Sequence, residues 1–207
     1  MTINILNDLL MEDYLMTSKK IKQAALELIA ERGYSETTLS LIAEKVGIKK
    51  PSIYSHFQSK EDILFSIVEE EIKNLKIHME SIFYDIKKYE LDEMLYLILY
   101  EFANYFSNNI SLARFWNVVM YFPPYSLEQE LKIDLVKGKI HKYIDSNIKE
   151  RSKYGKIDEE KIKNIMYAYE LTLRGILTMI IYDSDFTIEK IKPIWTIYCN
   201  GIKNELI

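Results

Sequence analysis

The stretch TTLSLIAEKVGIKKPSIYSHFQSKEDIL, Thr37–Leu64, decides the fold. Thr38 has a side-chain oxygen suited to capping a helix, and Leu39, Ile42, Ala43 and Val46 follow at helical spacing. Gly47 ends that helix, because glycine adopts the positive φ that other residues resist. Pro51 falls in the first turn of a following helix, where its missing N–H costs nothing, so a helix is expected from Lys50 to about Phe57. Ser59 then caps a further helix with Glu61 and Asp62 in its acid-favouring first turn, running without a breaker to about Phe83.

Two short helices around a glycine turn form a helix-turn-helix under three conditions. A small residue must stand where they cross, a glycine four residues on, and an apolar anchor about six further. Ala43, Gly47 and Ile53 meet that spacing, with Ile42, Val46 and Ile48 completing the packing. The second helix offers Lys49, Lys50, Ser52, Tyr54, Ser55 and His56, cations and hydroxyls suited to phosphates and base edges. Lys49, Lys50 and Ser52 sit at the end that enters a major groove in this motif. Thr38, at a helix N-terminus, and Lys60 are suited to phosphate. The candidate DNA-binding residues are therefore Thr38, Lys49, Lys50, Ser52, Tyr54, Ser55, His56 and Lys60. Ala43, Gly47 and Ile53 build the motif, and Phe57 is expected in the core.

Upstream, Ile21, Ala24, Ala25, Leu28 and Ile29 recur at helical spacing, with Thr17 or Ser18 as the expected cap and Gly33 as the stop. Residues 1–16 form an arm, read as a short helix without an assigned role. Charge separates the same region from the rest. Residues 17–60 hold eight basic and four acidic groups, a net +4 in a chain of net −4, which leaves −8 elsewhere. A basic head on an acidic body provides the local positive potential that DNA binding needs.

Downstream, a polar gap at 86–90 precedes the apolar and aromatic Leu91–Ser107. Ser111–Phe122 is a helix ended by Pro123-Pro124, and Leu127–Lys149 is amphipathic and charged. Residues 154–158 are a loop, and the last two helices are expected over 158–182 and 188–206. With 4 Pro, 6 Gly and abundant Leu, Ile, Lys and Glu, the chain reads as all-α, with about nine helices. The expected domains are 17–60 for DNA binding and 61–207 for a larger helical body.

Thr37–Leu64, extended back through KKIKQAALELIAERGY, resembles the DNA-binding domain of the tetracycline-repressor (TetR) family of transcriptional regulators. The likeness covers about residues 17–66 and is strongest over KKPSIYSHFQSKED. It implies a three-helix head on a helical ligand-binding and dimerisation body. Pro51 stands where many members carry Gly or Ala. RFWNVVMYFPP resembles a stretch of some members without indicating a ligand.

The same resemblance suggests that the last two helices form an intersubunit four-helix bundle, a homodimer through 158–182 and 188–206. Ile162, Ile165, Met166, Tyr169, Leu173, Ile176, Leu177 and Ile180 on the first, and Ile191, Ile194, Trp195, Tyr198 and Ile202 on the second, are the apolar residues in want of cover. Burial within one subunit is the alternative for them. Glu170 and Arg174, four residues apart, read first as an ion pair along the helix, and second as a contact to an anionic inducer through Arg174. Phe102, Phe106, Trp116, Met120, Tyr169 and Leu173, with Arg174, are the candidate lining of an inducer site, which suits a bulky apolar or aromatic ligand; ordinary core is the competing reading.

Other classes fit poorly. The chain has no glycine-rich phosphate loop, and His56, His78 and His141 lack metal-ligand spacing, so no catalytic residue, metal or cofactor is expected. Cys199, the single cysteine, allows no internal disulfide and reads as a buried thiol. No signal peptide and no bilayer-spanning run of ~20 apolar residues is apparent, so a cytoplasmic protein without membrane contact is expected. The sequence therefore points to a ligand-responsive regulator, a repressor released from a palindromic double-stranded DNA operator by a small, largely apolar inducer. A helical binding or scaffold protein without operator binding is the alternative, and an enzyme the weakest reading. The inducer, the operator, the regulated genes, repression against activation and the role of residues 1–16 are open at this point.

Overall fold

The computed structural model describes residues 2–86, 89–124 and 159–206. Among these, eight α-helices and one 3-10 turn are the regular structure. The helix expected at Leu127–Lys149 and the loop at 154–158 lie outside the described residues.

Helix α1 spans Thr2–Glu36, so Thr17 and Ser18 lie inside it instead of capping it. Residues 2–16 contain neither Gly nor Pro, and extending an existing helix gains a hydrogen bond per residue without a new nucleation cost. Gly33 breaks the helical path near its end, with φ 80° and ψ 167°. The fully buried Thr37 hydroxyl donates to the Gly33 carbonyl at 2.8 Å, so the bend leaves no orphan at that site.

Helix α2 (Leu39–Val46) is capped as its sequence predicts. The Thr38 hydroxyl accepts from Leu41 N–H at 3.3 Å, and Gly47 is left-handed at φ 79°. Ile48 N–H returns to the Ala43 carbonyl (2.9 Å) and Gly47 N–H to that of Glu44 (3.1 Å), the paired closure of a Schellman end.

Helix α3 is shorter than expected: regular α-geometry covers Lys50–Ile53, and residues 54–56 are turns. Ser52, Tyr54, Ser55 and His56 are indifferent helix formers, and the Ser55 hydroxyl donates to the Ser52 carbonyl at 2.7 Å, competing with the helical ladder. His56 and Phe57 N–H both close on the Ile53 carbonyl at 2.9 Å. Helix α4 (Lys60–Ile86) starts behind Ser59, whose hydroxyl accepts from Asp62 N–H at 3.1 Å, while the Asp62 carboxylate accepts from Gln58 N–H at 2.8 Å. The cap matches the expectation, and the helix runs slightly past Phe83.

Helices α5 (Leu91–Ser107), α6 (Ile110–Tyr121), α7 (Glu159–Tyr182) and α8 (Ile191–Leu206) follow, with a 3-10 turn at Ile188–Lys190 leading into α8. Pro193 has no N–H to give to the Glu189 carbonyl, so the chain turns tightly there before the α-ladder begins.

The chain divides into two compact units, Met1–Lys73 with Arg114–Glu130 and Asn74–Ala113 with Leu131–Ile207. Ile21, Ala25, Ile42, Ile53, Phe57, Ile63 and Leu64 are buried in the first, so the motif residues Ile42, Ala43 and Ile53 are core as expected. In the second, Met94, Leu95, Ile98, Leu99, Ile162, Ile165, Tyr169, Ile176, Ile191 and Trp195 belong to one cluster from α5, α7 and α8, which Leu75 and Met79 of α4 join.

Candidate nucleic-acid interface

The Gly47 turn sets the start of α3 directly after the end of α2, and everything polar at that junction faces outward. Thr38, Lys49, Lys50, Ser52, Tyr54 and Ser55 are exposed, whereas Ile53, between them in sequence, is fully buried. Tyr54, at 55% exposure, presents its ring and hydroxyl to solvent, which no core tyrosine would. The segment therefore combines two cations, three hydroxyls and a helix N-terminus on one anchored turn of backbone, chemistry that suits phosphates and base edges.

Four of the eight candidates are engaged within the chain: the Thr38 and Ser55 hydroxyls locally, as above, and His56 and Lys60 with residues distant in sequence. His56 is half-buried, its ring stacked on Tyr14 with centroids 4.3 Å apart and planes 28° apart. Lys60 donates to the Tyr34 carbonyl at 2.8 Å, and its Nζ stands 4.0 Å from the centroid of the Tyr34 ring. Burial pushes the Tyr34 phenol above its ordinary value, and Glu61 beside it adds to the rise. Glu61 is held below the usual carboxylate range, first by its own backbone N–H at the start of α4. Lys60 thus ties α4 to the end of α1, a role that its sequence position did not reveal. Lys22, paired with Glu70, makes a second such tie.

Tyr14 was missed altogether. The signal for it was present: it lies seven residues before Ile21 on the face that continues through Ala25 and Leu28, and seven residues is two helical turns. A cap assumed at Thr17 hid that continuity.

The seven candidates for a ligand site fall in different places. Trp116 and Met120 belong to the first unit, and Phe102, Phe106, Tyr169, Leu173 and Arg174 to the second. Phe102 and Phe106 meet edge-to-face at 4.8 Å. Tyr169 is 1% exposed and its hydroxyl donates to the Leu95 carbonyl at 2.7 Å, with Trp195 edge-on to its ring. That is a hydrogen-bonded core tyrosine, and burial drives its phenol pKa well up. Leu173 is half-buried against the same cluster. Arg174 pairs with Glu170 along α7, Nε to Oε1 at 3.0 Å, as the ion-pair reading has it. Buried Cys199 lies 3.9 Å from an Asp92 carboxylate oxygen.

The apolar residues assigned to a subunit interface need correction. Ile162, Ile165, Met166, Tyr169, Ile176 and Leu177 on α7, and Ile191 and Trp195 on α8, are buried within the chain itself. The faces left uncovered carry Tyr167 (67% exposed), Leu171 (69%) and Tyr182 (72%) on α7, and Ile197 (77%) beside Ile194 on α8. Periodicity alone found the wide apolar arc and not which side of it the chain covers. None of the helices among the described residues is long and apolar enough to cross a membrane.

Residues 21–67 match the profile of bacterial regulatory proteins of the tetR family. The fatty acid metabolism regulator protein of Bacillus subtilis (strain 168) is 30% identical over 141 residues, 68% of this chain and 70% of that one. The biofilm operon icaADBC HTH-type negative transcriptional regulator IcaR of Staphylococcus aureus is 40% identical over 86 residues, 40% of this chain and 44% of its own. Among solved structures, the fatty acid degradation regulator FadR of Bacillus halodurans superposes with a TM-score of 0.69 at 21% identity, over 89% of this chain and 95% of that one. FadR of B. subtilis in complex with stearoyl-CoA superposes with a TM-score of 0.67 at 23% identity, over 91% and 97%. These last two likenesses concern the fold.

Proposed function

The chain belongs to the tetR family of bacterial regulatory proteins, transcriptional regulators and not enzymes, and from that premise we propose that it is an operator-binding repressor released by a ligand. The observation that carries the operator reading is the exposed set Thr38, Lys49, Lys50, Ser52, Tyr54 and Ser55 around the buried Ile53 anchor. Lys49, Lys50 and Ser52 read base edges, and Thr38, Tyr54 and Ser55 hold phosphate. His56 and Lys60 border that set. Residues 17–60 form the DNA-binding domain and 61–207 the ligand-binding and dimerisation domain.

Two copies associate through α7 and α8, using the uncovered Tyr167, Leu171, Tyr182, Ile194 and Ile197. They set two recognition segments in successive major grooves of a palindromic operator, its half-sites one turn, ~34–36 Å, or a multiple of it apart. Cover for these apolar side chains is the physical drive for association. Ligand binding in the body favours a conformer with wrongly spaced heads, and α4, which contributes residues to both units, is the element that couples them. Coupling of ~1–3 kcal/mol weakens operator binding about 5- to 150-fold.

The first ligand to try is a long-chain acyl-CoA, since one structural relative was solved with stearoyl-CoA. The test is a gel shift on DNA upstream of the chain's own gene at several salt concentrations, with and without stearoyl-CoA and a free fatty acid. Salt-dependent binding, weakened by one of the two, is expected. An absence of DNA binding at low salt would favour a helical binding protein without an operator.

A further inference from the structure

The recognition segment has little regular structure of its own, since α3 is four residues long and residues 54–56 are turns. What holds that turn comes from the far end of α1. Tyr14 stacks on His56, 4.3 Å between centroids, and its hydroxyl donates to the Ser55 carbonyl at 3.3 Å. The Ser55 carbonyl lies just past the end of α3, where backbone acceptors are left without helical donors. His56 Nδ1 is enclosed and finds no hydrogen-bond partner, so the ring is held by stacking. Tyr14 reaches this place because α1 is continuous from Thr2, which continues the line of Ile21, Ala25 and Leu28 two turns further, to a Tyr14 that is itself 43% exposed.

We propose that Tyr14 is a positioning residue for DNA binding: it clamps Ser55 and His56 and so fixes the orientation in which Lys50, Ser52 and Tyr54 meet the groove. Tyr14 thereby belongs to the recognition machinery without reading DNA itself. Its neighbours Glu12 and Asp13 are acidic and unsuited to phosphate contact. A segment already ordered in its bound conformation loses less entropy on binding, which is the gain such a clamp supplies. The proposal rests on the operator-binding reading above.

The experiment uses the full chain as wild type, Tyr14→Ala and Tyr14→Phe, with helix content checked by circular dichroism. Without DNA, amide hydrogen exchange at residues 54–57 and the His56 ring-proton shifts are measured. Tyr14→Ala should speed that exchange and move the ring resonances as the stacking is lost, and Tyr14→Phe should keep the ring shifts. With upstream DNA, Tyr14→Ala should bind roughly tenfold more weakly, with Tyr14→Phe recovering most of the loss. The salt slope should be unchanged, since no phosphate-neutralising cation is removed. Unchanged exchange and ring shifts in Tyr14→Ala would overturn the clamp. Wild-type affinity in that variant would overturn its role in binding, and equal losses in both variants with unchanged exchange would make Tyr14 a direct DNA contact instead. Failure of the wild type to bind DNA would sink the operator reading, while exchange and ring shifts would still decide the clamp.

Discussion

Tyr54 and Tyr169 mark the contrast between the head and the body. Tyr54 sits on a turn with 55% of its surface in water, whereas Tyr169 is 1% exposed with its hydroxyl bonded to the Leu95 carbonyl. The helix-turn-helix of the head is assembled from short pieces whose ends are specified locally: a threonine cap, a left-handed glycine, a proline in a first turn, a serine cap. The body is assembled from long helices whose ends matter little and whose faces matter most. Local rules therefore read the caps and the turn of the motif, though not the start of α1 or the end of α3, while the body depends on which side of each helix another helix covers.

That contrast can be broken most severely at Tyr169. Truncation to Ala should destabilise the chain by about 3–5 kcal/mol, seen as a lowered midpoint in chemical denaturation. A small loss would mean that the cluster around α5, α7 and α8 repacks freely and is not a fixed core. Next comes the outward face of the same helices. The double variant Leu171→Lys and Ile197→Lys should convert a dimer to a folded monomer in analytical ultracentrifugation, because both side chains are exposed in the single chain. It should lose most operator affinity with the second half-site. A dimer that survives both charges would place the interface elsewhere.

In the head, Gly47→Ala meets no atom within 4 Å of the added Cβ, so its cost is the left-handed backbone alone, about 1–2 kcal/mol. Thermal melting should show that loss; no loss would mean that the turn relaxes. The gentlest test is pH. An unfolded tyrosine ionises at about 10, and burial raises the folded values of Tyr169 and Tyr198 above it. The folded state therefore holds more protons than the unfolded state above about pH 10. Their contribution is complete below pH 10 and is lost as pH rises towards the folded values. Denaturation midpoints measured from pH 9 to 11.5 should fall with a slope that Tyr169→Phe reduces; an unchanged slope would assign the alkaline loss to other groups.

The same division explains what the residues alone disclosed. The helix-turn-helix, its buried anchor Ile53 and its exposed Lys49, Lys50, Ser52 and Tyr54 were legible because spacing, capping and turn chemistry act within a few residues. The Glu170–Arg174 pair was legible for the same reason, being four residues apart on one helix. The contacts of Lys60 with Tyr34 were not legible, and neither was which face of α7 the chain itself buries. Both concern contacts between residues distant in sequence, where periodicity gives an arc of side chains and not its partner.

By itself, then, the sequence determined that this chain is all-α, that it carries a helix-turn-helix and where that motif begins, turns and is anchored. Those properties follow from backbone preference and hydrophobic spacing, which need no knowledge of distant residues. Only the tertiary structure decided that α1 runs unbroken from the arm into the head, that Tyr14 lands on His56 and Ser55, and that α7 and α8 turn Leu171 and Ile197 outward. The physical reason is that burial and stacking are settled by which surfaces meet, and 41 residues of chain separate Tyr14 from the carbonyl it holds.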